Sequence, residues 1–163
     1  MITNVSVDTS EVKALFAEIN ARTKTYQSVW TQAKQYLRAA HSANFSSNGL
    51  PVGGWAPLQP ETAAWKAEEG YPLVPLFRTG ELFRSVAMAS GPPNEMRPKS
   101  MQFGTNVDYA KFHQYGAPRA NLPKRQIVFE PPGFAQMLAE SVADHLKPSR
   151  GVAATSALRS LFR

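Results

Sequence analysis

From Asp8 to Phe45, apolar side chains recur every three or four residues, through Val12, Leu15, Phe16, Ile19, Tyr26, Trp30, Ala33, Leu37, Ala40 and Phe45. That period belongs to a helix with one apolar face. Asp8 followed three residues later by Glu11 makes a capping box at its start. A continuous helix of roughly 36 residues is about 54 Å long at 1.5 Å per residue. A chain of 163 residues packs into a body only ~30 to 40 Å across. Two outcomes reconcile the lengths: the helix bends at the weak helix formers Thr23, Lys24 and Thr25, or its end projects beyond the body to meet a neighbour.

The period stops at Ser46. Between there and Pro75 lie Pro51, Pro57, Pro60, Pro72 and Pro75 together with Gly49, Gly53, Gly54 and Gly70, interrupted by a polar stretch, Glu61 to Glu69, suited to a short helix. Connections are usually ~4 to 6 residues long, so a loop over 46–75 is either disordered or functional. Trp55, Leu58, Trp65, Tyr71 and Leu73 argue against disorder, because disordered segments are poor in large apolar groups.

Beyond Thr79-Gly80, a helical turn with Leu82 and Phe83 leads into a strand expected at Arg84 to Ser90. The turn Gly91-Pro92-Pro93-Asn94 and a second alternating stretch, Lys99 to Thr105, make an expected antiparallel pair. Asp108 to Tyr115 suits a short helix ended by Gly116. Arg125 to Glu130 reads as a third strand. Pro131-Pro132 then opens an amphipathic helix with Phe134, Met137, Leu138, Val142 and Leu146 on one face, stopped by Pro148. The expectation is an α+β fold: a long N-terminal helix, a small antiparallel sheet of three or four strands, a second helix packed on that sheet, an extended loop over 46–75 and a C-terminal tail. Residues 1–147 form the expected single domain. Residues 148–163 form a basic tail that orders on assembly.

Cysteine is absent, which removes disulfides, thiolate nucleophiles and the commonest structural zinc sites. No apolar run reaches the ~18 residues of a membrane helix. The N-terminus lacks the basic start and apolar core of a secretory signal, so synthesis and assembly are expected in the cytoplasm, with no membrane partner. The net charge of +6 is uneven. Arg97 to Arg125 carries Arg97, Lys99, Lys111, Arg119, Lys124 and Arg125 against Asp108 alone, and Lys147, Arg150, Arg159 and Arg163 follow without an acid after Asp144. These are the two places to look for a polyanion.

Catalytic patterns do not assemble. Glu11-Val12-Lys13 has the spacing of a nuclease motif but lies on a helix without a partner acid. There is no Gly-x-Ser-x-Gly elbow and no Gly-rich phosphate loop. With His41, His113 and His145 far apart and no cysteine, a histidine metal site would need three distant segments to converge. No catalytic residue, metal or cofactor is therefore expected. Tyr109 and His113, four apart, either form a contact surface or split their roles, Tyr109 packing inward while His113 and Gln114 bond local backbone. Trp55, with Pro57 and Leu58, is either an anchor for a neighbouring subunit or part of a loop folded onto its own core.

Four blocks carry a resemblance. They are Gly53-Gly54-Trp55-Ala56-Pro57-Leu58 with Pro60, Thr62 and Lys66; Leu76-Phe77-Arg78-Thr79-Gly80-Glu81-Leu82-Phe83-Arg84-Ser85-Val86; Gly104-Thr105-Asn106-Val107-Asp108-Tyr109-Ala110-Lys111-Phe112-His113-Gln114-Tyr115-Gly116; and Leu122-Pro123-Lys124-Arg125. In this order and spacing the segment from about residue 45 to 130 resembles the phage virion morphogenesis family, the tail-completion proteins of long-tailed phages, related in fold to tail terminators. The chain departs from that family at Pro123-Lys124-Arg125-Gln126-Ile127-Val128, where the family usually reads Pro-Ala-Arg-Pro-Phe-Leu, and in its basic C-terminal end.

The resemblance implies a non-enzymatic virion protein: a ring of identical subunits, six-fold, at the end of the tail or between tail and head connector. Its partners would be itself, the tail tube protein, a head connector or head-closure protein, and DNA in the lumen. On that reading Trp30, Trp55, Pro57, Leu58, Trp65, Tyr109 and His113 are candidates for subunit contact. Arg78, Arg84, Lys99, Arg119, Lys124 and Arg125 are candidates to face a lumen or DNA. Two rivals stand beside it: a connector or head-closure subunit at the portal, and a basic DNA-binding protein whose affinity falls steeply with salt.

Overall fold

The computed structural model describes residues 9–148. Asp8, and hence the expected capping box, lies outside them, as does the basic tail from residue 149 on. The long helical pattern divides into α1 (Ser10–Arg22) and α2 (Gln27–Ser46), with the break at Thr23, Lys24 and Thr25. Threonine competes with the helix by bonding backbone. The Thr23 hydroxyl donates to the Asn20 carbonyl at 2.8 Å, and the freed Tyr26 N–H donates to the Pro98 carbonyl at 2.8 Å.

The remaining helices are α3 (Pro60–Glu68), α4 (Glu81–Val86), α5 (Ala110–Tyr115) and α6 (Phe134–Leu146). Strands β1 (Met96–Arg97) and β2 (Ser100–Met101) pair antiparallel, Met96 opposite Met101. α2 buries Val29, Ala33, Leu37, His41 and Phe45 along one face. That face continues into a core of Phe45, Trp55, Leu82, Val86, Ala87, Ala110 and Ile127. Each large member is worth about 1.5 to 3 kcal/mol of burial.

The structure corrects the sheet. Among the described residues it has two strands of two residues each, rather than three or four strands. Arg84 to Ser90 is not a strand: Gly80, at φ 76°, caps α4, and Leu82 and Val86, four residues apart, share the buried helix face. The extended chain near Thr105 is joined to α4 through Asn94, whose side-chain amide donates to the Ser85 and Gly104 carbonyls at 3.2 and 3.1 Å and accepts from Gly104 N–H at 2.9 Å. Arg125 to Glu130 is not a strand: it bends at Val128 and has no partner strand among the described residues, and side chains satisfy much of its backbone. Gln114 Oε1 accepts from Ile127 and Val128 N–H at 2.8 and 2.9 Å, and Gln114 Nε2 donates to the Val128 carbonyl at 2.8 Å.

α6 is also corrected: it packs along α2 rather than on a sheet. Tyr36 donates to the Pro132 carbonyl at 2.6 Å, and Ser141 to Gln32 at 2.9 Å. At its far end His145 bonds the Arg22 carbonyl through Nε2 at 3.0 Å and accepts from the Ser28 hydroxyl at Nδ1 at 3.1 Å, while Arg22 donates to the His145 carbonyl at 3.0 Å. This lock holds the corner between α1 and α2. Among the described residues no helix is long and apolar enough to cross a membrane.

Candidate functional site

The stretch over 46–75 is folded, and three side chains show why. Trp55 lies edge-on to Phe45, ring centroids 5.2 Å apart, and its Nε1 donates to the Gln126 carbonyl at 2.9 Å. Arg125 reaches under the loop and donates from Nε to the Ala56 carbonyl at 2.9 Å and from Nη2 to the Pro57 carbonyl at 2.8 Å. Lys66, on the inner side of α3, donates from Nζ to the Val74 and Phe77 carbonyls, each at 2.7 Å. Loop carbonyls buried without partners are costly, and a cation bonded to two of them is a strong clasp. Burial lowers the pKa of both Lys66 and Arg125 from their ordinary values.

These clasps hold α3 away from α5 and from the 120–125 segment, leaving a groove of about 480 Å³. Leu58, Trp65, Leu76, Phe77, Leu82 and Leu122 form apolar walls. Glu61, Arg78 and Glu81 bring charge, and Tyr109 and His113 line the α5 side. The Tyr109 hydroxyl donates to Glu81 at 3.3 Å. Its pKa is raised, first by burial and then by the Glu81 charge, with Arg78 pulling the other way. His113 is lowered by burial and by the nearby Arg125 charge.

Of the residues singled out for subunit contact, Leu58, Trp65, Tyr109 and His113 come together on this groove, and Pro57 is exposed beside it. Trp30 sits at the other end of α2, half-buried, 6.1 Å from the Tyr26 ring. Trp55 is turned into the core, 8% exposed, so the loop is folded onto its own body. Among the basic candidates, Arg125 is 5% exposed and spent on loop carbonyls, and is not available to a lumen. Arg78, Arg84, Lys99, Arg119 and Lys124 are exposed but scattered. Arg78 is on the groove, Arg84 donates to the Thr79 carbonyl at 3.1 Å, and Lys99 follows the Pro98 carbonyl that meets the α1–α2 corner.

Sequence reasoning missed Lys66 as a structural cation; the backbone role offered for Gln114 is met at Ile127 and Val128, while His113 Nδ1 is buried without a partner among the described residues. A lysine inside the polar stretch Glu61 to Glu69 carries no visible mark of burial. Among the described residues no three metal-ligating side chains cluster, and His41, His113 and His145 do not converge.

A preformed groove with aromatic and aliphatic walls, charges of both signs on its rim and its strongest cations tied to backbone has the chemistry of a recognition surface. The chain belongs to the phage virion morphogenesis family, whose model matches residues 7–148, and is thus a phage virion structural or assembly protein. No curated protein and no solved structure matches it.

Proposed function

We propose that this chain is a tail-terminator or tail-completion subunit that forms a ring at the head–tail junction, ends tail-tube growth and joins the tail to the head. It works through shape rather than chemistry. The observation that carries the reading is the amount of large apolar surface left open on so small a body: Phe16 is 66% exposed, Leu50 73%, Tyr115 78% and Leu73 58%. Apolar side chains gathered on one surface mark a place where a partner docks, and Val12 with Phe16 on one face of α1, and Leu58, Trp65 and Tyr109 around the groove, are two such gatherings. The ring is homo-oligomeric and six-fold in this reading, with the tail tube protein on one face, a head connector or head-closure protein on the other, and DNA passing through.

The test is microscopy of particles assembled without this protein. Full heads beside unjoined tails of irregular length are expected. Empty heads with free tails of normal length would instead assign the chain to the connector.

A further inference from the structure

α1 is bound to the body along one flank only. Leu15, Glu18, Ile19 and Arg22 are partly covered, whereas Val12 and Phe16, four residues apart and so adjacent on the helix surface, are 48% and 66% exposed. This apolar ridge is flanked by Glu11 on one side and Lys13 on the other. The groove between α3 and α5 is its physical counterpart, with apolar walls and a rim bearing Arg78 against Glu61 and Glu81. Lys13, Glu61 and Glu81 make no ion pair among the described residues.

Ridge and groove stand at opposite ends of α2. α1 joins its N-terminal end, and the groove is built over the core at its C-terminal end, around Phe45, Trp55 and Leu82. Twenty residues of helix span about 30 Å at 1.5 Å per residue, so the ridge cannot fill the groove of its own chain. A second copy can fill it. Two different, mutually complementary surfaces on one chain make a head-to-tail contact, which repeats from copy to copy and forms a ring where the rotation closes.

We infer that α1 of one subunit seats Val12 and Phe16 in the groove of the next, with Lys13 directed to Glu61 and Glu81. The inference rests on the ring reading and names the contact that builds it.

The absence of cysteine makes the test direct. Asn20→Cys, exposed beside Phe16, and Thr62→Cys, on the groove, are introduced into separate chains, mixed, and joined with a short bismaleimide, alone and in the presence of tails. The expected product is a dimer containing one chain of each kind. Its yield should fall at least tenfold when Phe16→Glu is added to the Asn20→Cys chain, and fall with Lys13→Glu but recover when the other chain carries Glu61→Lys and Glu81→Lys. Circular dichroism on each variant checks that it remains folded. Rings seen by light scattering without this cross-link, or a cross-link indifferent to Phe16→Glu, overturn the contact while leaving the ring intact. A chain that stays monomeric both alone and with tails overturns the ring reading itself.

Discussion

His41 accepts the Phe129 backbone N–H at Nε2, 3.3 Å away, in the middle of the buried face of α2. Its Nδ1 donates to the Leu37 carbonyl at 2.7 Å, so both nitrogens are used only if the ring is neutral. The rings of Phe103 and Phe129, with centroids 4.8 and 4.7 Å away, complete an enclosure with no room for a proton on Nε2. Burial accordingly lowers the pKa of His41, more than the Leu37 bond raises it.

The first prediction follows from that direction. In the unfolded chain a histidine titrates near 6.5. In the folded chain His41 and His113 both titrate lower, so between the two values the unfolded state binds more protons. The stability these residues contribute is complete above about pH 6.5 and is lost as the pH falls from there through the folded values. Urea midpoints should drop between pH 7 and pH 5. His41→Gln, which keeps a polar side chain but does not titrate, should show a lower midpoint at pH 7 and a flatter fall. An unchanged slope would remove His41 from the account.

Trp55 supplies the second. Trp55→Ala removes the edge-on contact with Phe45 and the bond to the Gln126 carbonyl, and should cost about 3 to 5 kcal/mol in urea unfolding. Trp55→Phe keeps most of the ring and leaves Asn44 Nδ2, 3.2 Å from the same carbonyl, as its donor, so about 1 to 2 kcal/mol is expected. Gly49→Ala should be as damaging as the alanine at 55. Gly49 has φ 83°, and an added methyl would lie 2.3 Å from the Trp55 ring.

Lys66 supplies the third. Lys66→Met fits a similar volume but leaves the Phe77 carbonyl unpaired and the Val74 carbonyl with only the Phe77 N–H, 3.4 Å away, at about 1 to 3 kcal/mol. The damage should be local. Trypsin is expected to cut after Arg78 severalfold faster, with a smaller change in the overall urea midpoint. Lys66→Arg should not restore protection, since a planar guanidinium cannot reproduce two bonds from one ammonium nitrogen at this depth. Equal cleavage in wild type and Lys66→Met would show that the clasp is dispensable.

What could be read from the residues beforehand follows the range of the forces involved. The break at Thr23 to Thr25, the helix within 46–75, the helix ended by Gly116 and the one opened by Pro131-Pro132 depend on neighbours a few positions away, and they stand as expected. Of the three expected strands only Lys99 to Thr105 holds one, the two residues Ser100–Met101, because alternation reports extended chain or half-burial and is silent about the partner. Val86 proved to share a helix face with Leu82, and the pairing of Lys99 to Thr105 went to Met96-Arg97 next door. Leu58, Trp65, Tyr109 and His113, offered as contact residues, line one groove; large side chains in a loop or on a short helix need a surface to lie on. Arg125, a candidate to face a lumen or DNA, is buried instead, and nothing local reveals that its guanidinium closes a loop about seventy residues away.

The last prediction concerns Gln114, which stands in for a missing strand. Its Oε1 takes two consecutive backbone N–H groups, a pattern that fixes which end of the amide is oxygen, and its Nε2 returns one bond to the Val128 carbonyl. Gln114→Ala leaves the Ile127 and Val128 N–H groups buried without acceptors. Two such groups cost about 1 to 3 kcal/mol each. The exchange protection of both amides should fall more than that of Ala33, which lies on the neighbouring α2 and owes nothing to Gln114. Gln114→Glu separates the two halves of the clamp. A carboxylate still accepts both N–H groups but faces the Val128 carbonyl with an oxygen, so protection at Ile127 and Val128 should survive while the urea midpoint drops. If Gln114→Ala leaves those amides as slow to exchange as before, the segment is held by the burial of Ile127 and by its bonds to Trp55, Asn44 and His41, and the clamp is a consequence of the fold rather than one of its causes.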